Sequence, residues 1–508
     1  MHQVRLITAA IMLALLALPL AAQETPAPQA GVGGSDFHKN DITYSTAVVT
    51  PHVAWATNLP GGPIKGFFIP SVEFGRDMVE LMQRVDLEPT TVSIDRNWDT
   101  NCWGIGDYYG HEYRGDIDDF RIVYNYVEKD ITGPAAFEVM MIPGLNGWSR
   151  MTRATRDAIL KRVEDGAGLI LLHPFVGDVK GHPFAADKIE MDGEVSAAGD
   201  ETPIKGWETD VDTRIWDVSP LINCADDSVS ERGYPQITTD ALVTGKWQLE
   251  GAHFITAGLP VDLLPEGNIG GRFYKYEANG DVLIKSGDYP ILAVKRYGKG
   301  RVVALAYLEE GFLPETKDRT DDKIYWNYWE YYYSLLSRCV IWAAGREGDL
   351  SMTSLVATPD EITMTLCPSV AKRIDFEFAA KSAFGGPSTS YKGSTDLIAG
   401  PNTVRMSADN FKPANGWGGG KQIVDVIIRD PETSATLNWG SATFEVPKVA
   451  SVYSVTPSSD VYCRGETLSV VTHSSGDLEG LALRLSVSDD LERVIFTQTK
   501  STRGEKAF

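Results

Sequence analysis

The most regular alternation of hydrophobic and polar positions runs from residue 64 to residue 175. Ile64-Lys-Gly-Phe-Phe-Ile69 reads as a strand, and Met78, Leu81, Met82 and Val85 then recur at helical spacing over residues 74–87. Thr90-Thr-Val-Ser-Ile94 predicts a second strand and Phe137-Glu-Val-Met-Met-Ile142 a third. Ser149 or Thr152 is placed to cap a following helix whose inward stripe is Ile159, Leu160 and Val163. Gly166 stops that helix. Leu169 to Leu172 then gives four apolar residues in a row, the pattern of a strand covered on both faces. This β-α-β-α-β rhythm predicts a parallel sheet flanked by helices and joined by right-handed crossovers. Ligands of such sheets bind at the carboxyl ends of the strands, which makes His173, directly after Leu172, the first candidate for a site.

Farther along, the pattern loosens and then changes kind. Residues 97–132 are rich in Trp, Tyr, Asp and Gly, and residues 176–235 are loop-like apart from an apolar anchor, Trp216-Asp-Val-Ser-Pro-Leu221. Residues 290–307 read as two strands around a Gly298-Lys-Gly300 turn, a hairpin. A long helix is expected from about Asp322 to Ala344, with Ile324, Tyr328, Tyr331, Leu335, Cys339 and Trp342 as its buried stripe. Beyond Gly345, short alternating runs such as Glu361–Leu366, Ile374–Phe378 and Ile423–Ile428 lie between Gly, Pro, Asn and Ser turns. They predict an all-β, immunoglobulin-like sandwich of about 100 residues. A second set (Ser451–Val455, Thr467–Val471, Ala482–Ser486) has too few residues before Phe508 for a complete sandwich, so the chain is expected to be a fragment of a longer protein.

Arg5, the apolar run Ile11–Leu20 and Ala21-Ala22-Gln23 have the layout of an export signal cleaved near residue 23. The expected divisions are a signal over 1–23, a Pro/Gly/Ala-rich linker over 24–40, the α/β domain over 41–347, a β-sandwich over 348–447 and an incomplete one over 448–508. The product is expected to be secreted or periplasmic, with no membrane association after cleavage. Sixty-nine acidic against 47 basic residues give a net charge of -22, which argues against nucleic acid and anionic membranes as partners. Five widely spaced cysteines exclude a CxxC-type metal or redox motif. Cys339 reads as a buried thiol, while Cys102 and Cys224 either pair or line a cleft.

Four pieces bear a likeness to known proteins: Gly166-Ala-Gly-Leu-Ile-Leu-Leu-His173, Ala252-His-Phe-Ile-Thr-Ala-Gly-Leu-Pro260, Arg296-Tyr-Gly-Lys-Gly-Arg-Val302 and Trp342-Ala-Ala-Gly345. In order and spacing, residues 60–345 resemble the class I glutamine amidotransferase-like superfamily, especially its trehalose-utilisation-like branch. The resemblance implies a flavodoxin-like sheet and a role near carbohydrate metabolism. Amidotransferases of this class carry a cysteine nucleophile at the strand-to-helix elbow, supported by His and Glu. Here His173-Pro174 stands at that place, and His253 is followed by Phe254 and Ile255 instead of a His-x-Glu pair. The expectation is therefore a degenerate domain without glutaminase chemistry.

Two segments carry the remaining candidate chemistry. Residues 95–113 mix carboxylates with aromatic rings (Asp95, Trp98, Asp99, Trp103, Tyr109, His111, Glu112), a composition suited to stacking sugar rings and accepting from their hydroxyls. Its plain alternative is an aromatic loop packed on its own domain. Asp178 and His182 follow His173 on one segment and are assigned to substrate binding, their irregular spacing pointing away from a metal site. No metal or cofactor is expected. His253 is expected to cap or bridge backbone. The aromatic run Tyr325–Tyr333 is expected to pack in the core, because alternate faces of one helix cannot all meet one ligand.

Three readings are carried forward. In the first, a degenerate amidotransferase-like domain binds sugar or assists assembly in a secreted protein of polysaccharide metabolism. In the second, the chain is a carbohydrate-active enzyme, with His173 as acid/base and Asp95 or Glu112 assisting. In the third, the domain is an oligomerisation module, giving a homo-oligomer.

Overall fold

The computed structural model describes residues 5–6, 52–69, 75–91, 127–143, 153–172, 214–223, 247–264, 276–306, 326–383, 388–413, 416–448, 450–459, 467, 469–476, 482–488 and 494–501. They fall into two compact units, one formed by residues 35–349 with 434–437, the other by residues 350–433 and 438–508 together with 1–34. Among the described residues, no helix is long and apolar enough to cross a membrane.

The first unit is built on strands β1 (Ile64–Phe68), β2 (Leu87–Thr91), β3 (Val139–Pro143), β4 (Gly168–Leu172), β5 (Leu221–Asn223), β6 (Trp247–Leu249), β7 (Tyr276–Ala278), β8 (Asp281–Ser286), β9 (Tyr289–Tyr297) and β10 (Gly300–Leu305). Its helices are α1 (Gly75–Arg84), α2 (Arg153–Asp165), α3 (Arg214–Val218) and α4 (Trp326–Ala343). One eight-stranded sheet has the order β2-β1-β3-β4-β10-β9-β8-β6. The first five of these strands are mutually parallel. The remaining three are antiparallel to their neighbours, so the sheet is mixed and not purely parallel. The hairpin expected at residues 290–307 is present, and β8 extends it from a short apolar run between Asn279-Gly280 and Gly287-Asp288.

Every residue of Leu169–Leu172 is fully buried, as the unbroken apolar run requires. One sheet face carries Phe67, Met140, Ile142, Leu169, Leu171, Val302 and Ala304, packed with Ile159 and Val163 of α2 and with Ile215, Trp216 and Val218 of α3. The apolar anchor read from the sequence at 216–221 is thus part of this core. Strand β2 begins three residues earlier than the sequence suggested, because Pro89 lies inside it. An edge strand tolerates proline, since one side of its ladder is unpaired. Helix α4 also differs from expectation: it is buried on all sides from Glu330 to Ala343, not along one stripe. Its tyrosines Tyr331, Tyr332 and Tyr333 are core residues, and so is the Cys339 thiol, whose pKa burial pushes up.

Both long helices end on glycine. After α2, Gly166 takes φ 131°, its N–H meets the Val163 carbonyl and the Ala167 N–H meets the Arg162 carbonyl. After α4, Gly345 takes φ 70°, with Gly345 N–H to Trp342 and Arg346 N–H to Ile341. Both are Schellman closures, which explains two of the glycine motifs seen in the sequence. Arg162 then fixes the preceding segment, donating to the carbonyls of Ile131, Gly133 and Ala135 at 2.6, 2.8 and 2.8 Å. Arg162→Ala should cost about 1–3 kcal/mol, read from the urea midpoint, because three carbonyls lose one charged donor.

The second unit holds β11 (Leu350–Ala357), β12 (Glu361–Pro368), β13 (Lys372–Ser382), β14 (Thr389–Leu397), β15 (Asn402–Ser407), β16 (Gly420–Arg429) and β17 (Thr436–Val446). They form a three-stranded sheet, β11-β12-β15, and a four-stranded sheet, β14-β13-β16-β17, all antiparallel where their registers are given. The fourth strand pairs with the third, whereas in a constant-type immunoglobulin sandwich it joins the other sheet. Alternation is clean on β12, with Ile362, Met364 and Leu366 inward. Residues past 449 add two hairpins, β18 (Ala450–Pro457) with β19 (Val470–Gly476), and β20 (Ala482–Ser488) with β21 (Val494–Ser501). Residues Arg5–Leu6 bridge to Ala482–Leu483 in parallel.

Candidate functional site at the carboxyl ends of the parallel strands

Counting the five parallel strands in chain order, they stand 2-1-3-4-5 across the sheet. The connection leaving β1 runs to one side and later connections run to the other, so the order reverses between β1 and β3. In doubly wound sheets of this order, the crevice outside the carboxyl ends of those two strands is the usual ligand position. The register fixes its floor. Phe68 stands opposite Met141, Pro143 opposite Leu172, and Leu172 opposite Leu305. Ile69 continues the ladder through its N–H to the Met141 carbonyl at 3.1 Å.

This floor is apolar. Phe68, Ile69, Ile142, Leu172, Leu305 and Ala306 are all essentially inaccessible to solvent. Every site residue named from the sequence lies outside the described residues: Asp95, Trp98, Trp103, Tyr109, His111 and Glu112 follow β2 in sequence, and His173, Asp178 and His182 follow β4. What the described residues establish is the place of Leu172, centred between Pro143 and Leu305, with His173 next in sequence. Cys102 and Cys224 also lie outside the described residues. Among the described residues, no three His, Cys, Asp or Glu side chains gather as a metal site.

The described ionisable clusters are structural. Arg84 lies between two carboxylates, reaching Glu80 at 2.5 Å and Glu330 at 2.6 Å, with its guanidinium 4.8 Å from the centre of the Tyr333 ring. Trp55 Nε1 donates to the same Glu330 carboxylate at 2.6 Å. Burial works against the Arg84 charge, but the two carboxylates outweigh it and its pKa is raised. Arg338 is held down to about 9 by burial. At the amino ends of the strands, Arg346 pairs with Glu138 at 2.7 Å and donates to the carbonyls of Pro60 and Gly62. Arg301 pairs with Glu347 and donates to the Trp342 carbonyl at 2.9 Å. His253 accepts from the Ile255 N–H through Nδ1 at 3.2 Å, the backbone-capping part expected of it.

No family model matches the chain, and no curated protein does. Among solved structures it is similar to a beta-galactosidase from Bacillus circulans sp. alkalophilus, with 10% identity, 68% of this chain and 41% of that chain covered, and a TM-score of 0.27. It is also similar to a cold-adapted beta-galactosidase from Rahnella sp. R3, with 9% identity, the same coverages and a TM-score of 0.23. A cytoplasmic protein from Salmonella typhimurium LT2 matches with 13% identity over 55% of this chain and 99% of its own, at a TM-score of 0.30. The chain thus spans about 41% of the length of these beta-galactosidases. Likenesses at such scores carry no argument about fold or activity.

Proposed function

We propose that the protein is a carbohydrate-active enzyme whose site lies outside the carboxyl ends of the five parallel strands, on a flavodoxin-like scaffold of the amidotransferase-like kind. The observation that carries this reading is the 2-1-3-4-5 strand order, in which Leu172 ends a central strand and His173 comes next. The apolar floor supports it: sugar sites combine a dry base with polar groups supplied from loops, and the segment after β2 is rich in Trp, Tyr, Asp and Glu. In this proposal His173 exchanges a proton with the sugar oxygen, Asp95 or Glu112 assists, and Trp98, Trp103 and Tyr109 stack on the ring. His111, Asp178 and His182 bond its hydroxyls. The proposal adds two residues that sequence reasoning passed over and that lie outside the described residues, Glu73 after β1 and Asn146 after β3 in sequence. Their signal exists only once the strand order is known. Thiolate glutamine hydrolysis is not part of the proposal, because the chain offers no cysteine between Cys102 and Cys224.

The test is turnover of a polysaccharide panel by the full chain, scored as new reducing ends. His173→Ala should lower the rate by about a hundredfold or more, in the range of a lost general acid/base, with glycan affinity retained. Affinity without any turnover would replace this reading with that of a degenerate, sugar-binding domain. Neither affinity nor turnover, with a concentration-dependent oligomer, would favour the assembly module instead.

A further inference from the structure

The turn over residues 252–258 is fastened to the carboxyl-terminal half of α4 at two adjacent points. At the first, the Phe254 carbonyl accepts from Arg338 Nη1 at 2.6 Å, and the Arg338 guanidinium lies 5.0 Å from the centre of the Phe254 ring. At the second, the His253 ring stands edge-on to Trp342, with centroids 5.1 Å apart. The same histidine organises the turn itself. Its Nδ1 accepts from the Ile255 N–H, and its carbonyl accepts from the N–H groups of Thr256 and Ala257 at 3.1 and 2.9 Å.

An accepting Nδ1 carries no proton, so this arrangement needs the neutral ring with its hydrogen on Nε2. The surroundings bear on what a second proton would meet. Trp342, against which the ring rests, already has the Arg301 guanidinium 5.3 Å from its own ring centre. Glu347, the carboxylate nearest in charge effect, is engaged by Arg301, and Asp281 at the start of β8 is the other acidic group acting on the ring.

We propose that His253 is a pH-operated latch: protonation of Nδ1 breaks the Ile255 hydrogen bond, sets a second cation beside the Trp342–Arg301 pair and loosens residues 255–257 at the His253–Trp342 anchor, while the Arg338–Phe254 anchor holds. The proton comes from solvent and goes to Nδ1, with no other bond made or broken. Burial holds the His253 pKa below the usual histidine value, with Glu347 and Asp281 opposing and Arg301 assisting. With the latched value depressed, the latch is fully stable above the ordinary histidine value of about 6.5. It weakens as pH falls below that value, until the latched ring itself titrates.

Amide hydrogen exchange of residues 255–257 in the full chain, corrected for intrinsic pH dependence, tests this between neutral and acidic pH. Protection should fall about tenfold per pH unit just below the usual histidine value and then level off, because opening takes up one proton in that window. His253→Asn keeps a side-chain oxygen for the Ile255 N–H but cannot titrate, and should give a flat profile. Should that variant fail to fold, the wild-type profile and the His253 Hε1 titration decide together: the Hε1 shift must come below the usual histidine value, at the pH where protection levels off. Flat wild-type protection, or an equal slope in His253→Asn, overturns the proposal.

Discussion

Arg84→Met is expected to destabilise the α/β unit by about 3–5 kcal/mol, the usual consequence of removing one partner from a buried ion pair. The reason is the company Arg84 keeps. Glu80, Glu330 and Arg84 are 5%, 7% and 2% exposed, and the single guanidinium neutralises both carboxylates across α1 and α4. Methionine fills much of the same volume but leaves two buried carboxylates without that guanidinium, while Trp55 continues to donate to one of them. Urea unfolding followed by tryptophan fluorescence should show the loss. Adding Glu80→Gln and Glu330→Gln to Arg84→Met should recover most of it, because neutral amides avoid the buried charge. A triple variant as unstable as the single one would show that packing, not charge, is what Arg84 supplies.

The second large effect is expected at Gly300. A Cβ built there meets the Val163 carbonyl oxygen at 2.2 Å and the Ala167 carbonyl oxygen at 2.4 Å. Both are backbone atoms of the Schellman closure after α2, so neither can swing aside. Gly300→Val should therefore cost about 3 kcal/mol or more, at or above the upper end for overpacked sites. Lys299→Ala, one residue away and exposed, should stay within about 0.5 kcal/mol of wild type. Comparing the two urea midpoints separates the close approach from any general sensitivity of the hairpin.

Much of the scaffold was legible because its residues obey one local rule at a time. Leu169–Leu172 read as a doubly covered strand and is one, and Gly166 and Gly345 read as helix ends and are. Strand β2 was misplaced because Pro89 breaks the expected pattern, and only the pairing of Ile64 with Leu87 shows that the strand lies on an edge that tolerates it. The α4 stripe was incomplete for the opposite reason: Tyr331, Leu335, Cys339 and Trp342 are buried as expected, but so are the other faces, and a helix buried on every side shows no stripe boundary to read. Strands β6 and β8 are short antiparallel additions whose place depends on partners far away in sequence. The proposed site was legible as composition and as the strand end before His173. The reversal of strand order between β1 and β3 was not, being a property of pairings such as Gly66 with Val139 that no run of residues displays.

The clamps at the amino ends of the strands have an evolutionary and practical consequence. Arg346 on Glu138, Pro60 and Gly62, Arg301 on Glu347 and Trp342, and Gly300 against Val163 and Ala167 tie the sheet to its helices without using any residue from 92–126, 144–152 or 173–213. On the proposed function, folding information and reaction information are written on opposite rims of one sheet. A lineage, or an engineer, could then exchange the segments that follow the strands while the clamps keep the scaffold, so chemistry can turn over faster than architecture.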